Sequence, residues 1–261
     1  MIIALASLNQ VWENKVANLL NCEELVHKAK SHNAELIIFP EMTLTGFSMN
    51  TSETAENVDN SRTVKSFEEL ARKNNIAIVF GMVFSQFPKA SNNAIFIGKS
   101  GEILGAYQKI HPFSFSGEDK YFIAGKEISK LDFDSCNIGL TICYDLRFPE
   151  LYSALSTNCD LIINIANWPS KRLNHWNTLL KARAIENQIY IAGVNRIGKD
   201  MSGNEYTQSS IVIDPNGEIM APIYSEAELD IINVDIGFKE DFKQSFSTTQ
   251  DRNPEFYKSI L

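Results

Sequence analysis

The sequence predicts an α/β fold built on mixed sheets. Three observations carry that reading. Short apolar runs of strand length are spread evenly from the first residues to about position 235, the early ones alternate with segments of helical periodicity, and two later pairs of runs are joined by glycine-bearing turns. Parallel neighbours need a crossover, usually a helix, whereas antiparallel neighbours need only a turn, so a chain with both kinds of connection builds sheets of mixed direction. The order of elements fits mixed sheets with helices on their outer faces. It does not by itself choose between one doubly wound sheet and two packed ones.

The elements follow in order. Residues 1–10, MIIALASLNQ, open on a strand. A helix is expected over residues 14–31, where Val16, Leu19, Leu20, Val26 and Ala29 recur at helical spacing. Residues 35–39 form a buried strand ended by Pro40, which has no N–H to give to a sheet. The next helix covers residues 61–74 with Val64, Phe67 and Leu70 or Ala71 on one face, and residues 76–84 are again a strand. Residues 93–98 and 102–109 read as a hairpin around Lys99-Ser100-Gly101, and residues 212–214 and 218–220 as another around Pro215-Asn216-Gly217. Between the hairpins lie a strand ending at Cys143, a strand over 160–166, a long helix over 175–187 with Asn174 as its cap, and a strand over 189–195.

Composition narrows the function. Hydrophobic residues make up 44% and charged residues 21%, which is ample for a sizeable core, and no Pro/Gly/Ser-rich linker or charge block divides residues 1–261, so one domain is expected. A net charge of −8 without a basic cluster argues against nucleic-acid binding. No apolar run approaches the roughly 20 residues that span a bilayer, and the chain opens in a strand without a basic leader. A cytoplasmic protein without a membrane segment is expected. Cys22, Cys136, Cys143 and Cys159 are too few and irregular for a disulfide framework or a C-x-x-C zinc site, and His27, His32, His111 and His175 do not pair at ligand spacing. Free thiols, no metal and no cofactor are the expectation.

Three short stretches hold residue types that amide hydrolysis by a thiol requires, each where a strand runs out into a loop. They are Glu41 in LIIFPEMTLTGF, Lys109 in GAYQKIHPF and Cys143 in IGLTICYDLRFPELY. Singly none is diagnostic: a free cysteine after an apolar run is usually a small buried hydrophobe, and a Glu or Lys after a strand is usually solvated. Together they supply a nucleophile, a base for its proton and a cation for the oxyanion. Pro149 and Glu150 suit the first turn of a helix. The run from IGLTIC to this helix start therefore reads as a strand-turn-helix that lifts the thiol toward a helix N-terminus, which lowers a thiol pKa and offers backbone N–H groups to an oxyanion.

FPEMTLTGF, YQKIHPF and CYDLRFPELY resemble, in order and separation, the glutamate, lysine and cysteine motifs of the nitrilase superfamily of carbon–nitrogen hydrolases. The similarity runs from IIALASLNQ to SSIVIDPNGEIM. Within the superfamily the chain is most similar to the omega-amidase (2-oxoglutaramate amidase) branch, through KIHPF, GEDKYFIAG, CYDLRFPELY, ANWP and HWNTLLKARAIENQIYIAG. The resemblance implies a four-layer α-β-β-α sandwich. It also implies a fourth catalytic residue, Glu118, and a homodimer that uses a C-terminal tail over residues 238–261.

On this reading Glu41 is the general base, Cys143 forms a thioester, and Lys109 with the backbone N–H of Tyr144 stabilises the oxyanion. Glu118 positions Lys109 and the attacking water. Phe115 and Trp168 are candidate pocket walls, and Arg172, in NWPSKRLNHW, is a candidate grip for a substrate carboxylate. Arg147 with Glu150 and Arg183 with Glu186 read as i, i+3 pairs, and His175 and Trp176 as packing residues. The expected reaction is hydrolysis of the terminal amide of 2-oxoglutaramate or 2-oxosuccinamate to the acid and ammonia. The alternatives are a nitrilase, an N-carbamoyl-amine hydrolase or an acyltransferase using the same residues, and a silent binding protein on this fold.

Overall fold

The computed structural model describes residues 1–260. Its strands are β1 (Ile2–Ala6), β2 (Leu36–Ile38), β3 (Ala77–Gln86), β4 (Lys89–Ile97), β5 (Ile103–Gln108), β6 (Ser129–Phe133), β7 (Cys136–Ile142), β8 (Leu161–Ala166), β9 (Tyr190–Asn195), β10 (Gly198–Lys199), β11 (Glu205–Tyr206), β12 (Ile211–Ile213), β13 (Tyr224–Glu226) and β14 (Leu229–Asn233). They form a seven-stranded sheet ordered β13-β14-β1-β2-β3-β4-β5, a five-stranded sheet ordered β12-β9-β8-β7-β6, and a short β10-β11 ribbon. Among the named strands that the structure describes, parallel pairing links β1-β2-β3 and β7-β8-β9. Those are the steps crossed by the helices Lys15–Ser31, Arg62–Asn74, Pro149–Ser156 and Leu173–Asn187.

Strand periodicity explains why two sheets form. In β1, Ile3 and Leu5 pack toward the second sheet while Ala4 and Ala6 pack under the helices. In β8, Leu161, Ile163 and Ile165 face the first sheet, and Ile162 and Ala166 face the helices Pro149–Ser156 and Leu173–Asn187. Strands buried on both faces read as continuous apolar runs, so the sequence pattern hides which face meets which layer. The result is an α-β-β-α sandwich.

Several local expectations change. The first helix buries Val26 and Ala29 as expected, but Val16 and Leu20 are 72% and 60% exposed, and Asn18, Cys22 and Leu25 are buried in their place. The Asn18 amide accepts from the Val11 N–H at 2.7 Å and donates to the carbonyls of Val11 and Leu44 at 2.7 and 2.8 Å. A hydrogen-bonded polar residue thus occupies a core-facing position that a hydrophobic pattern assigns elsewhere. β3 and β4 form one long hairpin turning at Phe87-Pro88, where the sequence suggested two shorter strands. The turn after β12 forms, with the Gly217 N–H on the Asp214 carbonyl at 2.9 Å, but its second arm is reduced to a bridge between Ile213 and Ile219. Asn174 is not a cap, because the long helix already begins at Leu173. Residues 237–260 carry the helices Gly237–Ser245 and Pro254–Ile260, and Arg252 donates to Ser153 and Asn187. Leu261, the last residue of the expected tail, lies outside the described residues.

Glu56 pins the starts of two helices. It accepts from Lys15 at 2.8 Å, from the hydroxyls of Ser61 and Thr63 at 2.6 Å each, and from the Thr63 N–H at 3.0 Å. Burial pushes its carboxyl pKa up, but Lys15, Ser61 and Thr63 outweigh that and hold it at about 2. A carboxyl depressed on folding contributes stability that is complete above its unfolded pKa and lost as pH falls through the folded value. Glu56→Gln is therefore expected to cost about 1–2 kcal/mol at neutral pH, once solvent screening of this partly exposed carboxylate is allowed for. Urea unfolding should show the gap to wild type narrowing as pH drops below about 4.5. A gap that stays constant down to about pH 3 contradicts this assignment.

Candidate active site

The candidate residues come from both sheets. Phe39 and Pro40 carry the chain from β2 to Glu41, after which Met42 turns with φ 47°. Gln10 holds that turn from beneath, its Nε2 lying 3.0, 3.0 and 3.2 Å from the carbonyls of Glu41, Met42 and Thr43. β3 passes so close that a Cβ on Gly81 would sit 2.8 Å from the Glu41 Cα, so only glycine fits there. Lys109 directly follows β5, and its N–H donates to the Asn92 carbonyl in β4 at 2.9 Å. On the other sheet, Cys143 directly follows β7 with φ 47°, a left-handed conformation costly for a residue with a Cβ. Asn167 follows β8.

Glu41, Lys109 and Glu118 converge into one cluster, each no more than 1% exposed. The Lys109 ammonium lies 2.8 Å from Glu41 Oε1 and 2.9 and 3.1 Å from the two oxygens of Glu118. Asn92 Nδ2 bridges the same carboxylates at 2.8 and 3.0 Å. The Phe113 N–H donates to Glu118 at 2.5 Å. Asn167 spans the gap between sheets, its N–H donating to Glu41 Oε2 at 3.0 Å and its Nδ2 to the Glu41 carbonyl at 2.6 Å. The Cys143 thiol donates to the Asn167 carbonyl at 4.0 Å.

Burial works against the Lys109 charge, but Glu118 and Glu41 outweigh it and raise the ammonium pKa, so Lys109 stays charged. The thiol goes the other way from expectation. Burial, followed by the Glu41 charge, pushes the Cys143 pKa well up, and Lys109 offsets only part of that. The helix that was to depress it starts only at Pro149, and a 3-10 turn over Cys143–Arg147 intervenes. Burial and the facing carboxylates thus favour the neutral form of this thiol.

Cys143 opens onto a cavity of about 240 Å³ lined by the aromatic rings of Phe47, Phe113, Tyr144, Trp168 and Tyr206 and by polar groups that include Asp200, Ser202 and Asn204. Phe115 stands 86% exposed at its rim, while Trp168 is buried and donates Nε1–H to the Arg172 carbonyl at 2.8 Å. Arg172 lines the same cavity with its guanidinium 5.5 Å from the Phe113 ring centre. Arg147, expected to pair with Glu150, makes no such pair among the described residues. It lines the cavity and lies 4.8 Å from the Trp168 ring centre and 5.9 Å from that of Tyr144. Arg183 and Glu186 do pair, at 3.0 Å, and Trp176 is buried packing. The sequence reading missed Asn92, Asn167 and Arg147. Asparagine is depleted in strands, so Asn92 beside Ser91 and Asn93 within β4 was an available signal.

A sequence model of the carbon-nitrogen hydrolase family matches residues 2–240. The chain belongs to that family. Omega-amidase YafV of Yersinia enterocolitica is 37% identical over 81% of this chain and 80% of its own. The 2-oxoglutaramate amidase of Bacillus subtilis is 31% identical over 92% of this chain and 93% of its own. Among solved structures, XC1258 from Xanthomonas campestris superposes with a TM-score of 0.89 at 28% identity over 97% of both chains. It is described as a CN-hydrolase superfamily protein with an arsenic adduct in the active site. With these relatives, the carbon–nitrogen hydrolase described here is an amidase.

Cysteine accessibility gives a direct check on the site. Cys22, Cys136 and Cys159 are at most 2% exposed, whereas Cys143 is partly exposed on the cavity. Iodoacetamide on the folded enzyme is expected to alkylate Cys143 alone and abolish turnover. Peptide mapping that ties the loss of activity to another cysteine contradicts this assignment.

Proposed function

We propose that this amidase hydrolyses the terminal amide of a short dicarboxylic acid monoamide, with 2-oxoglutaramate and 2-oxosuccinamate as substrates, through a thioester on Cys143. The observation that carries the reading is the cavity. One end holds the thiol beside the Glu41–Lys109–Glu118 cluster, and its wall bears Arg147, Lys171 and Arg172, which make no ion pair among the described residues. Such a cavity suits a molecule with an amide at one end and a carboxylate at the other. The names of the Yersinia and Bacillus relatives support the same substrate class.

In this mechanism Glu41 takes the thiol proton as sulfur attacks the amide carbon, a step made necessary by the raised thiol pKa. Negative charge develops on the carbonyl oxygen and is met by the Lys109 ammonium and the Tyr144 N–H, donors already fixed before the substrate arrives. Protonated Glu41 then delivers the proton to the leaving nitrogen, ammonia departs, and the acyl group remains on sulfur. Water attacks the thioester while Glu41 takes its proton, and the thiol is restored as the acid leaves. Glu118 accepts from Lys109 throughout, which keeps the ammonium aimed at the oxyanion rather than at Glu41 alone. Arg172 grips the distal carboxylate, where a guanidinium supplies two parallel hydrogen bonds.

Kinetics of variants test these roles. Glu41→Gln, Lys109→Ala and Cys143→Ala are each expected to lower kcat by several orders of magnitude, since groups acting as a unit fail together. Substantial activity retained by any of the three removes that residue from the mechanism. Arg172→Ala should lower kcat/KM for 2-oxoglutaramate by roughly 10- to 100-fold, the effect of losing a charge-assisted hydrogen bond of about 1.5–3 kcal/mol, and leave an uncharged amide almost unaffected. If Arg147→Ala shows that selective loss and Arg172→Ala does not, the grip belongs to Arg147. Nitriles or carbamoyl amines turned over faster than any keto-acid amide would reject the substrate class.

A further inference from the structure

We infer that Asp145 is a positioning residue, a strut across the two sheets that holds the Lys109 loop and the Cys143 turn in one register. The inference rests on the reading in which Lys109 stabilises the oxyanion formed where Cys143 attacks. Lys109 leaves the end of β5 in the seven-stranded sheet, and Cys143 leaves the end of β7 in the five-stranded sheet. No backbone ladder joins those sheets, and their common interface is apolar packing, which sets position less sharply than hydrogen bonds do. A nucleophile and an oxyanion donor on separate sheets therefore need a polar link.

Asp145 supplies one. It is fully buried, and its two carboxylate oxygens take four hydrogen bonds from both sides of the site. From the nucleophile's strand, the Ile142 N–H donates to Oδ2 at 2.9 Å and so caps the turn that carries Cys143 and Tyr144. From the lysine side, the Tyr107 hydroxyl donates to Oδ2 at 2.8 Å, the His111 N–H donates to Oδ1 at 3.1 Å, and His111 Nδ1 lies 2.7 Å from Oδ1. The Tyr107 hydroxyl also accepts from the Ile110 N–H at 3.2 Å. Residues on both sides of Lys109 are thus fixed to one carboxylate. The His111 ring is further stacked on Phe148, centroids 3.7 Å apart and planes 10° apart, at the far end of the same turn. A carboxylate has about four acceptor sites, and all are used, so Asp145 acts through its partners.

The test is a double-mutant cycle read in two assays. Asp145→Asn puts an NH2 group against donors; it should lower kcat for the amide by ~100-fold, the cost of a misplacement near 1 Å, with KM changed less than about threefold. Alkylation of Cys143 by iodoacetamide forms no oxyanion, so its rate should fall far less than turnover does. Tyr107→Phe should lower kcat by about tenfold alone and add nothing in the Asp145→Asn background, because it acts through that carboxylate. Losses that multiply in the double variant, or alkylation that falls as far as turnover, overturn the strut. Should Asp145→Asn fail to fold, Tyr107→Phe decides alone, and an unchanged kcat rejects the inference. Lys109→Ala separates the two levels: full activity there sinks the oxyanion reading, whereas an inactive Lys109→Ala beside an uncoupled cycle sinks the strut only.

Discussion

The Lys109 ammonium, enclosed by Glu41 and Glu118, is the interaction on which the rest of the site depends. A lone buried charge would be driven to its neutral form, and two carboxylates side by side would repel. Three charged groups with Asn92 bridging the two acids avoid both problems, and the pair of carboxylates keeps the lysine charged in spite of burial. Removing one member of such a group typically costs about 3–5 kcal/mol, because the others are left buried and unpaired. Isosteric changes such as Glu41→Gln are for that reason cleaner probes than truncations. Burial, reinforced by the same carboxylates that hold the lysine charged, pushes the thiol pKa up.

The second constraint is that the site is divided between sheets. Glu41, Asn92 and Lys109 belong to the seven-stranded sheet, and Cys143 and Asn167 to the five-stranded one. Asn167 reaches across to Glu41 with two hydrogen bonds, and Asp145 reaches across to Tyr107 and His111. The left-handed backbone at Met42 and Cys143 lies at the two turns these links meet. Strained turns persist where the surroundings over-determine them, and here glycine at position 81, Gln10 and the Asp145 cap do so.

Much of this was legible in the sequence because strand ends carry signals. Pro40 after LIIF, the turn Lys99-Ser100-Gly101 ahead of Lys109, and IGLTIC before Pro149 mark where each catalytic candidate leaves a sheet. What was hidden has a common cause, since a polar side chain satisfied inside the core breaks the hydrophobic pattern without announcing its partner. Asn18 turned the first helix away from the face that Val16 and Leu20 suggested. Asn92 and Asn167 act only through groups distant in sequence. Arg147 looked like half of a helical ion pair, and its place over Trp168 follows from tertiary packing alone. The direction of the thiol pKa was misjudged because the sequence shows a helix start but not the depth of burial or the carboxylates facing the sulfur.

The most direct test of thioester catalysis by this cluster is acid-quenched intact-protein mass spectrometry during the first turnover of 2-oxoglutaramate. The account predicts a covalent adduct with the mass of the substrate less ammonia, mapping to Cys143 and forming before the product acid appears. Product acid released together with ammonia from the earliest times, with no adduct at any quench point, would contradict it.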